Sequence, residues 1–213
     1  MIALTLQEIA DITGGRLDCV EDPSAQVTGF VEFDSRKVTP GGLFLALPGA
    51  RVDGHVFAEK AVASGAVAVL AARPVGVSAI VVEPKGKVEG DGANADIYAN
   101  DEDGSAAAVI EALSALARAV TQRLATDSAL NIVGVTGSAG KTSTKDLIAT
   151  IFRAAGETVA PPGSFNNEVG LPYTALRCDE HTEYLVAEMS ARGIGHIRHL
   201  TNITAPKVGV VLN

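Results

Sequence analysis

The chain has 213 residues, 47% of them apolar, no tryptophan, and a formal net charge of −8. That length fits one large domain or two small ones, with cores built of Val, Ile, Leu and Ala. No basic stripe suits nucleic acid, no apolar run approaches a membrane span, and the two cysteines, Cys19 and Cys178, form no metal pattern and are expected to be reduced. The N-terminal "MIALTLQEIADITGG" has neither a basic start nor a long apolar run, and a cytoplasmic protein is expected.

The negative charge is unevenly placed. Residues 1–104 carry 8 basic and 16 acidic side chains, whereas residues 105–213 carry 9 of each. Seven acids fall between Glu83 and Asp103, which reads as a solvated segment.

In chain order, Thr5 and Glu8 have capping-box spacing, and Leu6, Ile9, Ala10 and Ile12 follow until Gly14-Gly15 stops the helix. "GLFLALPG" (42–49), "AVAVLAA" (66–72) and "SAIVVE" (78–83) read as strands, with a helix at 57–65 between the first two. Residues 1–83 thus read as a small α/β domain. "PKGKVEGDGANADIYANDEDG" (84–104) has no sustained period and reads as a linker or irregular excursion. From Ser105 onward, Val109, Leu113, Leu116, Val120 and Leu124 recur at steps of three and four, one helical stripe. "NIVGVTG" (131–137), "EYLVAEMS" (183–190) and "KVGVVLN" (207–213) read as buried strands, and "TSTKDLIATIFRAAG" (142–156) as a helix. Residues 105–213 therefore read as a second α/β domain with a mostly parallel, helix-flanked sheet.

Between that first strand and helix lies "VTGSAGKTST". Small residues let backbone N–H groups close around an anion, and Gly137 and Gly140 supply that freedom. The helix points its positive end at the anion. Ser138, Ala139 and Ser143 complete the loop, Lys141 adds a charge that reaches outer phosphates, and Thr142 offers a hydroxyl to Mg²⁺. The common phosphate-loop pattern wants Gly at position 135, where this chain has Val135. The match is to a variant, Thr136-Gly137-x-x-Gly140-Lys141-Thr142.

Three other places invite a role. Glu188 ends an apolar strand, at the edge where ligands of open parallel sheets collect; it reads equally as an Mg²⁺ ligand or as a strand-end Glu facing solvent. Asn166 and Asn167 lie in the polar turn "PPGSFNNEVGLP" (161–172) and suit either a ligand or the turn itself. His196 and His199 are three apart, but no adjacent acid or cysteine completes a metal site.

Taken together, "TGSAGKTST", "GSFNNEVGLP", "AEMSARGIGHI" and "APKVGVVLN" resemble the central domain of the Mur ligases, ATP-dependent amide-bond-forming enzymes of peptidoglycan synthesis. "FDSRKVTPGGLFLALPGARVDGHVFAEKAVASGA" (33–66) resembles the UDP-binding domain of members that add the third residue and the final dipeptide. The pairing of "TGSAGKTS" with "FNNEVGLP" is most like the dipeptide-adding members. The resemblance implies ATP and Mg²⁺ as cofactors, UDP-N-acetylmuramoyl-tripeptide and D-alanyl-D-alanine as partners, and an acyl phosphate as intermediate. It implies outer-phosphate contact for Lys141, Mg²⁺ contact for Thr142 and Glu188, and places Asn166 and Asn167 near the reacting groups. It implies substrate contact for Ser35, Arg36 and the loop from Gly49 to Asp53, where His55 follows as a contact or a turn residue. A monomer is expected. Members that add diaminopimelate or lysine, and a nucleotide-binding module without ligase chemistry, remain alternatives. In the family a loop bearing a His for a second Mg²⁺, a carbamoylated lysine and a third domain come after the equivalent of Asn213. The expectation is therefore a fragment, without turnover by itself and with exposed apolar sheet surface.

Overall fold

A computed structural model describes residues 1–49, 52–87 and 101–213. The chain divides into two compact units, 3–113 and 114–213, with Met1 counted in the first and Ile2 in the second. Most of the stretch expected to be a linker, residues 88–100, lies outside the described residues.

The first unit begins with β1 (Leu4–Thr5) and α1 (Leu6–Thr13). The capping box forms as its spacing predicts: Glu8 N donates to Thr5 Oγ1 at 3.1 Å, and Thr5 N donates to Glu8 Oε2 at 2.9 Å. Gly14 closes the helix in the left-handed region at φ 66°. Next come β2 (Arg16–Asp18), β3 (Gln26–Val27), β4 (Val31–Glu32), β5 (Gly42–Leu45), a 3₁₀ turn (Gly54–Phe57), α2 (Ala58–Ala63), β6 (Ala66–Ala71) and β7 (Ala79–Val81). The sheet order is β2-β7-β6-β5-β4; all pairs are parallel except β2 with β7. β1 and β3 form a separate antiparallel pair.

Alternation decides what each strand face meets. Val69, Ala71, Ala79 and Val81 join Phe44, Ala58 and Ala61 in one buried cluster beneath α2. Ala68, Leu70 and Ile80 point the other way and are equally buried, so both faces of the sheet are covered. That explains the unbroken apolar runs in place of an alternating pattern.

The division between units falls within α3 (Ser105–Asp127). Its N-terminus is held by the buried Asp101, whose two carboxylate oxygens accept from Ala106 N and Ala107 N, both at 2.9 Å. All five positions of the apolar stripe, from Val109 to Leu124, are at most 2% exposed.

The second unit continues with β8 (Asn131–Gly137), α4 (Lys141–Arg153), β9 (Thr158–Val159), α5 (Gly170–Ala175), β10 (Tyr184–Glu188), α6 (His196–Thr204) and β11 (Val208–Leu212). The sheet is entirely parallel, in the order β11-β8-β10-β9. Val133, Val135 and Val186 pack on Ala149 of α4, with Ile148 and Phe152 alongside. Phe152 also stacks on Tyr184 with ring centroids 4.5 Å apart. β11, at the edge, leaves Val208 and Val211 exposed.

Candidate functional site

β8 and β10 are parallel and in register, Glu188 opposite Val135, so both strands finish at the same sheet edge. The loop leaving β8 and the acid ending β10 are therefore neighbours by topology.

The loop's shape depends on two glycines. Gly137 has φ 142°, and a Cβ there would sit 2.3 Å from the Leu212 carbonyl oxygen. Only glycine permits that approach of β8 to β11. Gly140 has φ 78° and turns the chain into α4 as its N-cap. The Lys141 ammonium lies across the loop, donating to Gly137 O at 2.7 Å and Ser138 O at 3.4 Å.

Ser138, Ala139, Gly140, Lys141, Thr142, Ser143, Ser164, Asn166 and Glu188 together line an open cleft of about 340 Å³. Gly137 is not among the lining residues; its carbonyl accepts from the ammonium of Lys141, which is.

Glu188 does not face solvent: it is 1% exposed. Asn166 Nδ2 donates to its Oε1 at 2.8 Å, while Oε2 is buried and has no hydrogen-bond partner among the described residues. A buried carboxylate oxygen left unsatisfied is costly unless a cation or donor meets it. Hard oxygen donors, the Thr142 hydroxyl and this carboxylate, are the set Mg²⁺ takes alongside phosphate oxygens. The residues fit such an ion.

Asn166 and Asn167 part company. Asn167 Oδ1 accepts from Val169 N at 3.3 Å and Gly170 N at 2.9 Å, capping the entry to α5. Its side chain serves the turn, whereas Asn166 serves the cleft. His196 is buried, with Nδ1 3.7 Å from Glu168 Oε1, and His199 is exposed. Among the described residues, no group of three or more His, Cys, Asp or Glu side chains is placed to hold a metal ion.

In the first unit, Ser35 is buried and Arg36 is exposed, its guanidinium forked onto Asp34 at 2.9 and 2.8 Å. That fork, with the Arg36 backbone N–H, holds the Asp34 carboxyl well below the usual carboxylate range. The Gly49–Asp53 loop closes with Gly49 N donating to Val52 O at 3.2 Å; its Ala50 and Arg51 lie outside the described residues. Asp53 accepts from Arg73 and from His55 Nδ1, the latter at 2.6 Å. Burial pushes its carboxyl up, but these donors outweigh burial and bring it down to about 2. His55 is structural as well: its Nε2 accepts from Ala72 N at 3.1 Å, tying the 3₁₀ turn to the end of β6. Among the described residues, no hydrogen bond or ion pair links Ser35 or Arg36 to Gly49 or Asp53.

Lys145 escaped sequence reasoning altogether. It is 1% exposed and donates to the carbonyls of Pro161 and Gly163. The signal was present: the inward stripe of α4 runs back from the partly buried Phe152 through the buried Ala149 in steps of three and four to position 145.

A glycine-bearing loop between a parallel strand and a helix, with an acid at the neighbouring strand end, defines a nucleotide-binding α/β protein of the phosphate-loop class. The chain belongs to the Mur ligase family: residues 28–122 match the model "Mur ligase family, catalytic domain", and residues 135–213 match "Mur ligase middle domain". The whole chain is 56% identical to the UDP-N-acetylmuramoyl-tripeptide--D-alanyl-D-alanine ligase of Mycobacterium leprae, covering 41% of it. It is 33% identical to the ligase of the same name from Escherichia coli, covering 40%. Among solved structures, MurF from Acinetobacter baumannii superposes with TM-score 0.77 at 28% identity, over 99% of this chain and 40% of that one. MurF ligase from Thermotoga maritima, solved in complex with ADP, superposes with TM-score 0.62 at 33% identity, over 88% of this chain and 38% of that one. The chain thus spans about two fifths of the length of these relatives.

Proposed function

We propose that this chain supplies the UDP-precursor-binding and ATP-binding parts of a ligase that joins D-alanyl-D-alanine to UDP-N-acetylmuramoyl-tripeptide in the cytoplasm, as a monomer. The observation that carries the reading is the cleft in which Ser138–Ser143 and Glu188 converge, with one Glu188 oxygen uncommitted. The choice of amine and acceptor is supported by the names of the relatives.

The chemistry needs a phosphate loop because a carboxylate is a poor electrophile at neutral pH. Transfer of the ATP γ-phosphate to the tripeptide carboxylate gives an acyl phosphate and ADP. The dipeptide amine then attacks that carbonyl, the amide forms, and phosphate leaves. The protein's part is positioning and charge neutralisation. Backbone N–H groups of Gly137–Lys141 and the N-terminus of α4 cradle the phosphates, and the Lys141 ammonium leaves the loop carbonyls for the outer phosphates. Thr142 and Glu188 would hold Mg²⁺, which would supply neutralisation of the phosphate charge. Asn166 fixes the Glu188 carboxylate. Ser35, Arg36, Gly49 and Asp53 of residues 1–83 bind the UDP-linked substrate; residues 105–213 form the ATP-binding domain; Asn167 shapes the turn beside the reacting groups.

ADP release tests the reading. A protein carrying this chain at the full length of its relatives is offered Mg-ATP with the muramoyl-tripeptide and D-alanyl-D-alanine, then with the muramoyl-dipeptide and diaminopimelate. Release only in the first mixture supports the proposal. Release only in the second moves the activity to the diamino-acid-adding member, and silence in both with retained ATP binding leaves a nucleotide-binding module.

A further inference from the structure

Lys145 sits one helical turn beyond Lys141 on α4, yet its side chain is 1% exposed. An ammonium so buried needs all three of its hydrogens satisfied. Here they are: Nζ donates to Pro161 O at 2.8 Å and Gly163 O at 3.2 Å, and pairs with Asp146 Oδ1 at 2.6 Å. The two carbonyls belong to residues 160–169, a stretch without helix or strand, which has no ladder of its own to fix its path.

That stretch is the far wall of the nucleotide cleft. Ser164 and Asn166 line it, immediately after the carbonyls that Lys145 holds. On its other side, Ser190 N donates to Asn166 O at 3.0 Å. Asn166 is therefore suspended between two rigid elements, α4 through Lys145 and the end of β10 through Ser190. From that position its carboxamide takes one oxygen of Glu188 and leaves the other uncommitted.

We propose that Lys145 is a positioning residue for the divalent cation of the bound nucleotide: it moors the 161–166 segment to the phosphate-loop helix, so that Asn166 presents Glu188 in the orientation a cation needs. The inference rests on the reading of the cleft as a Mg-nucleotide site. It gives the two lysines of "GKTSTK" opposite tasks. Lys141 faces the cleft and meets phosphate, whereas Lys145 faces inward and meets only protein. An apolar residue of the same length would fill the space but leave both carbonyls without donors. Groups that hold a metal ligand in place typically matter about 10–100-fold in metal affinity.

The test compares the protein carrying this chain at the full length of its relatives with its Lys145→Met, Asn166→Ala and double variants, by calorimetric titration of ATP in EDTA and of Mg²⁺ at saturating ATP. Lys145→Met is expected to weaken Mg²⁺ about 10-fold or more while ATP affinity in EDTA stays within about 2-fold. The double variant is expected to bind Mg²⁺ no worse than Asn166→Ala alone, because Lys145 acts through Asn166. Equal weakening in EDTA and in Mg²⁺, no weakening in either, or additive losses in the double variant would each overturn the proposal. Should Lys145→Met fail to fold by circular dichroism, Lys145→Gln, whose shorter, uncharged amide cannot replace the ammonium's two carbonyl contacts and ion pair, is judged by the same criteria. If the unaltered chain binds no ATP, the reading of the cleft falls and this inference with it. ATP binding by the unaltered chain without the selective Mg²⁺ effect sinks the inference alone.

Discussion

Asn166 Nδ2 donates to Glu188 Oε1 at 2.8 Å, and the sister oxygen of that carboxylate is buried with no partner among the described residues. Half of Glu188 is held and half is withheld from the fold. A group arranged for a ligand in this way costs the fold stability. Glu188→Gln removes the buried charge and keeps an acceptor for Asn166. In the absence of Mg²⁺ it is expected to leave the second unit as stable or more stable, by up to about 1 kcal/mol in urea unfolding. With Mg-ATP present the order reverses, because only the native carboxylate gains from the ion. A variant less stable than native without any ligand would show that Glu188 is a structural acid.

Gly137 is the second point where function dictates backbone. Its φ of 142° and the Leu212 carbonyl at 2.3 Å from an ideal Cβ leave no room for a side chain. Gly137→Ala must push β11 away from β8 or distort the loop. Either costs about 2 kcal/mol or more. Denaturant unfolding should show that loss, and ATP affinity should fall with it. Gly163 is a control of opposite kind: its φ is 63°, but nothing lies within 4 Å of a Cβ, so Gly163→Ala meets only the backbone term, about 1–2 kcal/mol.

These cases show what the sequence could and could not disclose. The strand, loop and helix around Lys141 were legible, because apolar runs and glycine spacing are local signals. The five-residue stripe of α3 was legible because its period alone places it. Glu188 was not decidable: "YLVAE" is buried on both faces, so no alternation says where its last side chain points. Lys145 was overlooked because a charged helix residue is ordinarily a solvated one, and that expectation overrode its place on the inward stripe; what satisfies its ammonium are carbonyls 16 and 18 residues away in sequence. α5 went unread, its first half taken into the polar turn 161–172, although all six of its residues are buried. β1 and β3 are two residues each, too short to carry a period.

The two cysteines are expected to react very differently. Burial pushes the Cys178 thiol up to about 12, so it stays protonated at pH 8 and is closed off from reagent. Cys19 is exposed, at φ 53° in the turn after β2. A disulfide-exchange reagent should therefore label one thiol quickly in the native chain and the second only on unfolding. Cys19→Ser should remove the fast phase entirely; a residual fast phase would place Cys178 at the surface.

The buried imidazole of His55 links the first unit to pH. Its Nε2 accepts from Ala72 N–H, and Nδ1 faces Asp53, so the folded chain needs the neutral ring with its proton on Nδ1. Burial lowers its pKa, and Arg73 adds to that, while Asp53 and Asp103 oppose without reversing it. An unfolded His takes a proton near pH 6.5, and the folded one does so only at lower pH. Below pH 6.5 the unfolded state thus binds more protons than the folded, and stability falls as pH falls towards the lowered folded value. Asp53 acts in a separate window: its contribution is present above pH 3.8 and is lost as pH falls towards about 2. Its side chain is 35% exposed, and solvent screening makes that contribution small. His55→Gln keeps an acceptor for Ala72 but cannot titrate. The native chain should lose urea-unfolding midpoint between about pH 7 and pH 5, and the variant, less stable at neutral pH, should lose less over the same interval. Equal slopes would mean that His55 takes up its proton over the same pH range folded as unfolded.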